Sequence, residues 1–187
     1  EIVPLLTAFE NEVRLANEAE KLAEESKVPV DEDFMRQIER FSRPVHTRQV
    51  EQRNNQLKRK AIALKAKCEQ SLASGQRKKL PIEDFEADIV SNVSSNPITI
   101  IKGEPGCGKS TQVAQMILNE ASLNGNGSSC NILITQPRRI SAISLAQRVA
   151  AERDEMVGES VGYHVRLQNK FPRYRGHIQF ITTGILL

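Results

Sequence analysis

The stretch Gly103-Glu104-Pro105-Gly106-Cys107-Gly108-Lys109-Ser110-Thr111 follows directly on the apolar run Ile98-Thr99-Ile100-Ile101 and leads into Thr111-Gln112-Val113-Ala114-Gln115-Met116-Ile117-Leu118. Strand, glycine-rich turn and helix in that order constrain the fold more than any other feature of the chain, and the turn fits G-x-x-x-x-G-K-[ST] at every fixed position. Such a turn binds phosphate. Gly106 and Gly108 let the backbone bend sharply and present N–H groups to an anion, and the following helix directs its positive N-terminus at the same charge. Lys109 is placed to reach the β- and γ-phosphates of a nucleotide, and Ser110 to set its hydroxyl on Mg²⁺, a hard cation that prefers oxygen. A glycine turn that merely opens a helix is the bland alternative, and it does not explain why all three elements agree.

From Leu80-Pro81 onward, strand and helix patterns alternate. Pro81 suits the first turn of a helix with Ile82, Phe85, Ile89 and Val93 on one face. The expected order is then strand 97–102, helix 109–123, strand 131–135, helix 141–153, strand 161–166 and strand 177–182. Asn124-Gly125-Asn126-Gly127-Ser128-Ser129 reads as a flexible surface loop. Alternation of this kind predicts an α/β fold with a parallel sheet and ligands at the carboxyl ends of its strands.

The first 79 residues have a different character. Ile2, Leu5, Phe9, Val13 and Ala16 recur at spacings of three and four within 1–25, which predicts an amphipathic helix. Pro29 ends it, Asp31 can cap a second helix over roughly 32–41, and Ser42-Arg43-Pro44 breaks that one. A third helix carries the stripe Leu57, Ala61, Leu64, Cys68 and Leu72 before Ser74-Gly75. With six Phe, two Tyr and no Trp in the whole chain, residues 1–79 make a thin core. They are expected to be a helical extension that docks on another surface, a protein partner included, ahead of a domain over 80–187.

The net charge of +3 hides a partition: residues 1–44 carry 11 acidic and 6 basic side chains, and residues 45–79 carry 2 and 10. A basic stretch of that density either tracks nucleic-acid phosphates or is a solvated helix face. Cys68, Cys107 and Cys130 are odd in number and unpaired in spacing, and His46, His164 and His177 are scattered, so neither disulfides nor zinc are expected. No run approaches the roughly 18 apolar residues needed to span a bilayer. The expectation is a soluble intracellular protein, in nucleus or cytoplasm, without membrane partners. The chain opens on Glu1 and closes on Ile185-Leu186-Leu187, which suggests part of something larger.

A phosphate loop alone does not choose among kinases, transporters, GTPases and motors. Thr135-Gln136-Pro137-Arg138-Arg139-Ile140-Ser141-Ala142 places two arginines between a strand and a helix, where guanidinium forks match phosphate oxygens. With the loop, this resembles motif Ia of the DEAH-type superfamily 2 helicases. The likeness continues through Leu145 to Arg153, through Gly162-Tyr163-His164-Val165-Arg166-Leu167, and into Thr182-Thr183-Gly184-Ile185-Leu186-Leu187, which looks like motif Ib. The wording is closest to the RNA helicase A, or maleless-like, branch and its neighbours that act on structured RNA and G-quadruplexes. Residues 1–79 carry no comparable likeness.

The resemblance implies a partial RecA-like P-loop NTPase lobe over 80–187 that uses ATP and Mg²⁺ to move on RNA. It implies that the loop from Gly103 to Thr111 holds the phosphates, that Lys109 serves catalysis and that Ser110 meets the metal. It also implies that Arg148 stacks on the base of the nucleotide and that Arg138, Arg139, Arg166 and Thr182 hold the RNA backbone. The residues alone favour a surface arginine on an amphipathic helix for Arg148, and for Arg138 and Arg139 the lesser alternative is structural pairing with acids such as Glu152. Pro105 and Ser110 stand where the family usually has threonine, and Pro105 removes one N–H from the loop. The family's Asp-Glu-x-His box and second lobe are expected beyond Leu187, so the isolated chain is predicted to bind nucleotide weakly without being a competent ATPase. A non-catalytic module that binds nucleotide and nucleic acid is the alternative from another class.

Overall fold

The computed structural model describes residues 47–186 and, before them, Glu32, Met35, Arg36 and Glu39, all helical. The helix expected over 1–25, most of the one over 32–41 and the break at 42–44 lie outside the described residues, as does Leu187 at the end of the motif Ib likeness.

Four strands form one sheet in the order β1-β4-β2-β3. Strands β1 (Asn131–Gln136) and β2 (Val161–Val165) flank β4 (His177–Thr182), both parallel to it. Strand β3 (Gln168–Lys170) adds an antiparallel edge on β2, so the sheet is mixed rather than parallel throughout. The sequence reading missed β3 because its three residues are polar and exposed. Its hairpin turns on Arg166-Leu167, between the pair Val165 and Gln168, with Leu167 at φ +69°.

Helices α3 (Lys109–Leu123) and α4 (Arg139–Glu152) pack on the sheet. Ala114, Ala142, Ala146 and Ala150 keep the contacts close, while Leu118, Val149, Val161, Val165, Ile178 and Phe180 fill the core. Each fully buried large side chain contributes roughly 1.5–3 kcal/mol. Strands β2 and β4 are buried at every position, as expected of central strands in an α/β sheet.

Pro81–Phe85 forms a 3₁₀ turn rather than the first turn of an α-helix, and α2 (Glu86–Ser95) follows. Ile82 and Ile89 bury together against Met116 of α3, with Val93 packed on them, whereas Phe85 stays exposed. The strand expected over 97–102 does not form. No strand runs beside this segment among the described residues, so it has no ladder, and Ile98 and Ile100 are 80% and 90% exposed. Together with Phe85 they border a cleft of about 750 Å³ beside the glycine loop.

Helix α1 (Thr47–Ala73) lies across α3 and the turn at Gly127–Ser129. Leu57 and Ala61 of its expected stripe are buried, and Leu64, Cys68 and Leu72 are half-buried. The reading of 124–129 as a surface loop holds for Asn124, Asn126 and Ser129, which are exposed, and is corrected at Gly127 and Ser128, which are buried under α1, with the Ser128 N–H donating to Asn54 Oδ1 at 2.8 Å. Leu57 fits because two residues there lack a side chain. A Cβ on Gly176 would lie 2.5 Å from Leu57 Cδ1 and 2.4 Å from the Gly127 oxygen.

Much of the basic segment is engaged within the molecule. Lys60 pairs with Glu155, Lys67 with Asp154, Arg77 with Glu83 and Lys79 with Asp84. Arg53 donates to the Arg175 carbonyl at 2.8 Å and stacks 4.8 Å from the Tyr174 ring centroid. Glu155, its side chain buried in the turn that follows α4, also accepts from Ser160 Oγ and faces the buried Arg153, so its charge is compensated on several sides. Among the described residues no helix is long and apolar enough to cross a membrane.

Candidate nucleotide and nucleic-acid site

The glycine loop closes on α3 through two left-handed residues, Gly106 at φ +82° and Gly108 at φ +104°. Gly108 is the residue before the helix, and its carbonyl accepts the N–H groups of Thr111 at 3.1 Å and Gln112 at 2.8 Å. A side chain there would be strained by φ and crowded as well, since a Cβ would stand 3.0 Å from Ile82 and 3.1 Å from Leu80. The Pro81–Phe85 turn thus supports the loop from below, and the Ile82 N–H donates to the Cys107 carbonyl at 3.3 Å. No side chain caps α3, which leaves its first N–H groups directed out of the helix end.

Lys109 folds back over this loop. Its ammonium donates to the carbonyls of Gly103 at 2.6 Å and Glu104 at 2.9 Å, with Cys107 Sγ at 3.4 Å. These carbonyl oxygens are neutral acceptors on a cation, and phosphate oxygens are stronger ones. Glu104, Pro105, Gly106 and Ser110 are exposed, Cys107, Lys109 and Thr111 half-buried. Among the described residues no three His, Cys, Asp or Glu side chains gather as a metal site. Mg²⁺ commonly arrives with few protein ligands and several phosphate oxygens, so a single exposed hydroxyl such as Ser110 fits it.

Arg138, Arg139, Arg166 and Thr182 come to one edge of the sheet. Gln136, the last residue of β1, is level with Thr182, the last of β4. Thr135, Ile181 and His164 share the register just below, which brings Arg166, one residue past β2, to the same carboxyl edge. The three arginines are exposed and Thr182 is 9% exposed. Helix α4 starts at Arg139 without a side-chain cap, so open N–H groups add to the positive field there.

Glu152 does not pair with Arg138 or Arg139. It accepts from Arg148 Nε at 3.0 Å, one turn back on α4, and from Gln112 and Gln115 of α3 at 2.9 and 2.8 Å. Sequence reasoning passed over Gln112 and Gln115. The i, i+4 spacing of Arg148 and Glu152 was the available signal, but nothing local joins either to α3. Arg77 lies close by: burial alone would lower its pKa, and the carboxylates of Glu83 and Glu152 raise it.

No family model matches the chain. An ATP-dependent DNA/RNA helicase, DHX36, of Rattus norvegicus is 52% identical over 113 residues, 59% of this chain and 11% of that protein. The DExH-box ATP-dependent RNA helicase DExH1 of Arabidopsis thaliana is 45% identical over 131 residues, 70% of this chain and 13% of that protein. The crystal structure of the E. coli DExH-box NTPase HrpB superposes with a TM-score of 0.52 at 28% identity, covering 59% of this chain and 13% of that one. The chain therefore spans about a tenth of the length of the curated relatives it matches. Its homologues are DExH/DEAH-box helicases, and its α/β part corresponds to a portion of one of their RecA-like lobes.

Proposed function

We propose that this chain, with DExH-box helicases for homologues, is the nucleotide-binding part of an ATP-dependent RNA helicase. Residues 80–187 are the proposed part of its first lobe, and residues 1–79 the proposed extension, whose helix Thr47–Ala73 packs on α3. The observation that carries the reading is the loop itself: left-handed Gly106 and Gly108 open an uncapped helix end while Lys109 reaches back across the mouth. ATP is the proposed nucleotide. The backbone from Gly103 to Thr111 would surround its phosphates, Lys109 would neutralise their charge, and Ser110 would meet Mg²⁺. When bound, the metal would supply charge neutralisation to the phosphates.

Arg138, Arg139, Arg166 and Thr182 are the proposed grip on RNA. Arg138 and Arg139 form no ion pair among the described residues, which supports a role toward an external anion. A grip made of guanidinium and hydroxyl groups on phosphates reads the backbone rather than base identity. In the whole protein, closing and opening of two lobes around the strand would convert hydrolysis into movement. An intracellular site of action, in nucleus or cytoplasm, goes with an RNA substrate.

These 187 residues contain no Asp-Glu-x-His sequence to hold Mg²⁺ and orient water. The chain alone is therefore expected to bind ATP–Mg²⁺ without measurable turnover. An NMR titration checks the binding half: amide shifts at Gly106 and Gly108 should saturate with ATP, and Lys109→Ala should weaken binding at least tenfold, the loss of a charge-assisted hydrogen bond of about 1.4 kcal/mol or more. Equal affinity of the variant would refute the reading.

A further inference from the structure

We propose that Arg77 is a positioning residue for the phosphate loop: it clamps the Pro81–Phe85 turn to the end of α1, and through that turn holds Cys107 and Gly108 in the conformation that receives phosphate. The inference rests on the nucleotide-binding reading above and extends it to a residue outside the loop, giving the end of α1 a part in the site.

Helix α1 ends at Ala73, and Gly75, at φ +71°, reverses the chain so that the Arg77 N–H donates to the Ser71 carbonyl at 3.1 Å. Arg77 is thereby returned to the last turns of α1, where its Nη1 lies 2.9 Å from Cys68 Sγ. The same guanidinium forks onto Glu83 in the Pro81–Phe85 turn, Nη1 donating to Oε2 at 3.2 Å and Nη2 to Oε1. The two side chains are only 31% and 12% exposed, so water and salt screen the pair less than they screen a surface one. Lys79 pairs with Asp84 in the same turn. The carboxylate of Glu152, which accepts from Gln112 of α3, adds to the electrostatic hold on Arg77.

What Arg77 holds bears directly on the loop. The Glu83 N–H donates to the Leu80 carbonyl at 3.0 Å and closes the turn, and the adjacent Ile82 N–H donates to the Cys107 carbonyl at 3.3 Å. Ile82 buries with Ile89 and Met116, and with Leu80 it leaves no room for a Cβ on Gly108, where contacts would fall to 3.0 and 3.1 Å. Gly108 stands at φ +104°, so the turn supports a backbone conformation that few residues adopt. Backbone N–H groups hold an anion only while their directions converge. A turn fixed before the ligand arrives spares binding the cost of ordering the loop, and a turn without its clamp returns that cost.

The test is an NMR titration of the 187-residue chain with ATP–Mg²⁺ and with inorganic tripolyphosphate, beside urea unfolding of each variant. Arg77→Ala should weaken both ligands equally, by roughly threefold to tenfold, the range over which residues outside a site modulate it. The losses match because the clamp acts on the loop and on no other part of the nucleotide site. Glu83→Gln, which keeps the side chain's shape, should weaken both ligands in the same way, and the double variant should be no worse than Arg77→Ala, since the two residues act as one unit. Arg77→Lys, which keeps the charge without the fork, should recover part of the loss. A pair that merely held α1 in place would lower the urea midpoint and leave the affinity of the folded protein unchanged. That result, a loss confined to ATP, or additive losses in the double variant would overturn the inference alone. Should Arg77→Ala not fold, Glu83→Gln and Arg77→Lys make the same comparison. Unchanged tripolyphosphate binding by Lys109→Ala would overturn the loop reading and this inference with it.

Discussion

His177, at the first position of β4, shows how burial changes the chemistry of a single group. Burial lowers its pKa to about 4, against a hydrogen bond with the Tyr174 backbone that raises it, and the nearby Arg53 charge lowers it further. The unfolded chain therefore takes up a proton near pH 6.5 that the folded chain refuses until about pH 4, so stability is complete above the higher value and falls as pH drops through this window. The loss amounts to roughly 3 kcal/mol. Urea unfolding at pH 7 and pH 4 should show it, and His177→Asn should remove that share of the difference. Neither this shift nor the Glu152 hydrogen bonds were legible in the sequence, because each depends on groups far along the chain; Glu152 meets Gln112 across 40 positions. The left-handed glycines were legible, since a backbone that must turn within three residues declares itself locally.

Among elements, α1 illustrates what periodicity does and does not reveal. The stripe through Leu57 and Ala61 predicts an amphipathic helix, and one forms over Thr47–Ala73. Where it docks depends on Gly127 and Gly176, whose missing side chains make room for Leu57, and on the ion pairs of Lys60 and Lys67. Leu57→Ala should destabilise the protein by about 3 kcal/mol through reduced burial and the cavity left behind. Hydrogen exchange should quicken together in α1 and at Gly127–Ser129, while β4 exchange changes only with global stability. The segment 97–102 fails in the opposite sense. Its β-branched residues have strand propensity, but a strand exists only with a neighbour to complete its hydrogen bonds, and none stands beside it among the described residues.

At the scale of the molecule, the sheet brings Arg138, Arg139, Arg166 and Thr182 to one carboxyl edge. If that edge holds an RNA backbone, binding should depend on salt and little on sequence. Arg138→Ala with Arg139→Ala should reduce the slope of log K against log salt by about 0.7 for each phosphate left without its guanidinium, equally for different single strands, which a fluorescence anisotropy titration reads. By itself, the sequence determined the glycine turn at 103–108, the helix after it, the alternation that makes an α/β sheet and the arginines after β1, because each depends on residues within a few positions of one another. Tertiary structure alone decided the antiparallel edge β3, the burial of Gly127 and Ser128 beneath α1, the unpaired state of 97–102 and the carboxylate that ties Arg148 to Gln112. Those are meetings of distant segments, and their energy comes from packing and desolvation that no local pattern encodes.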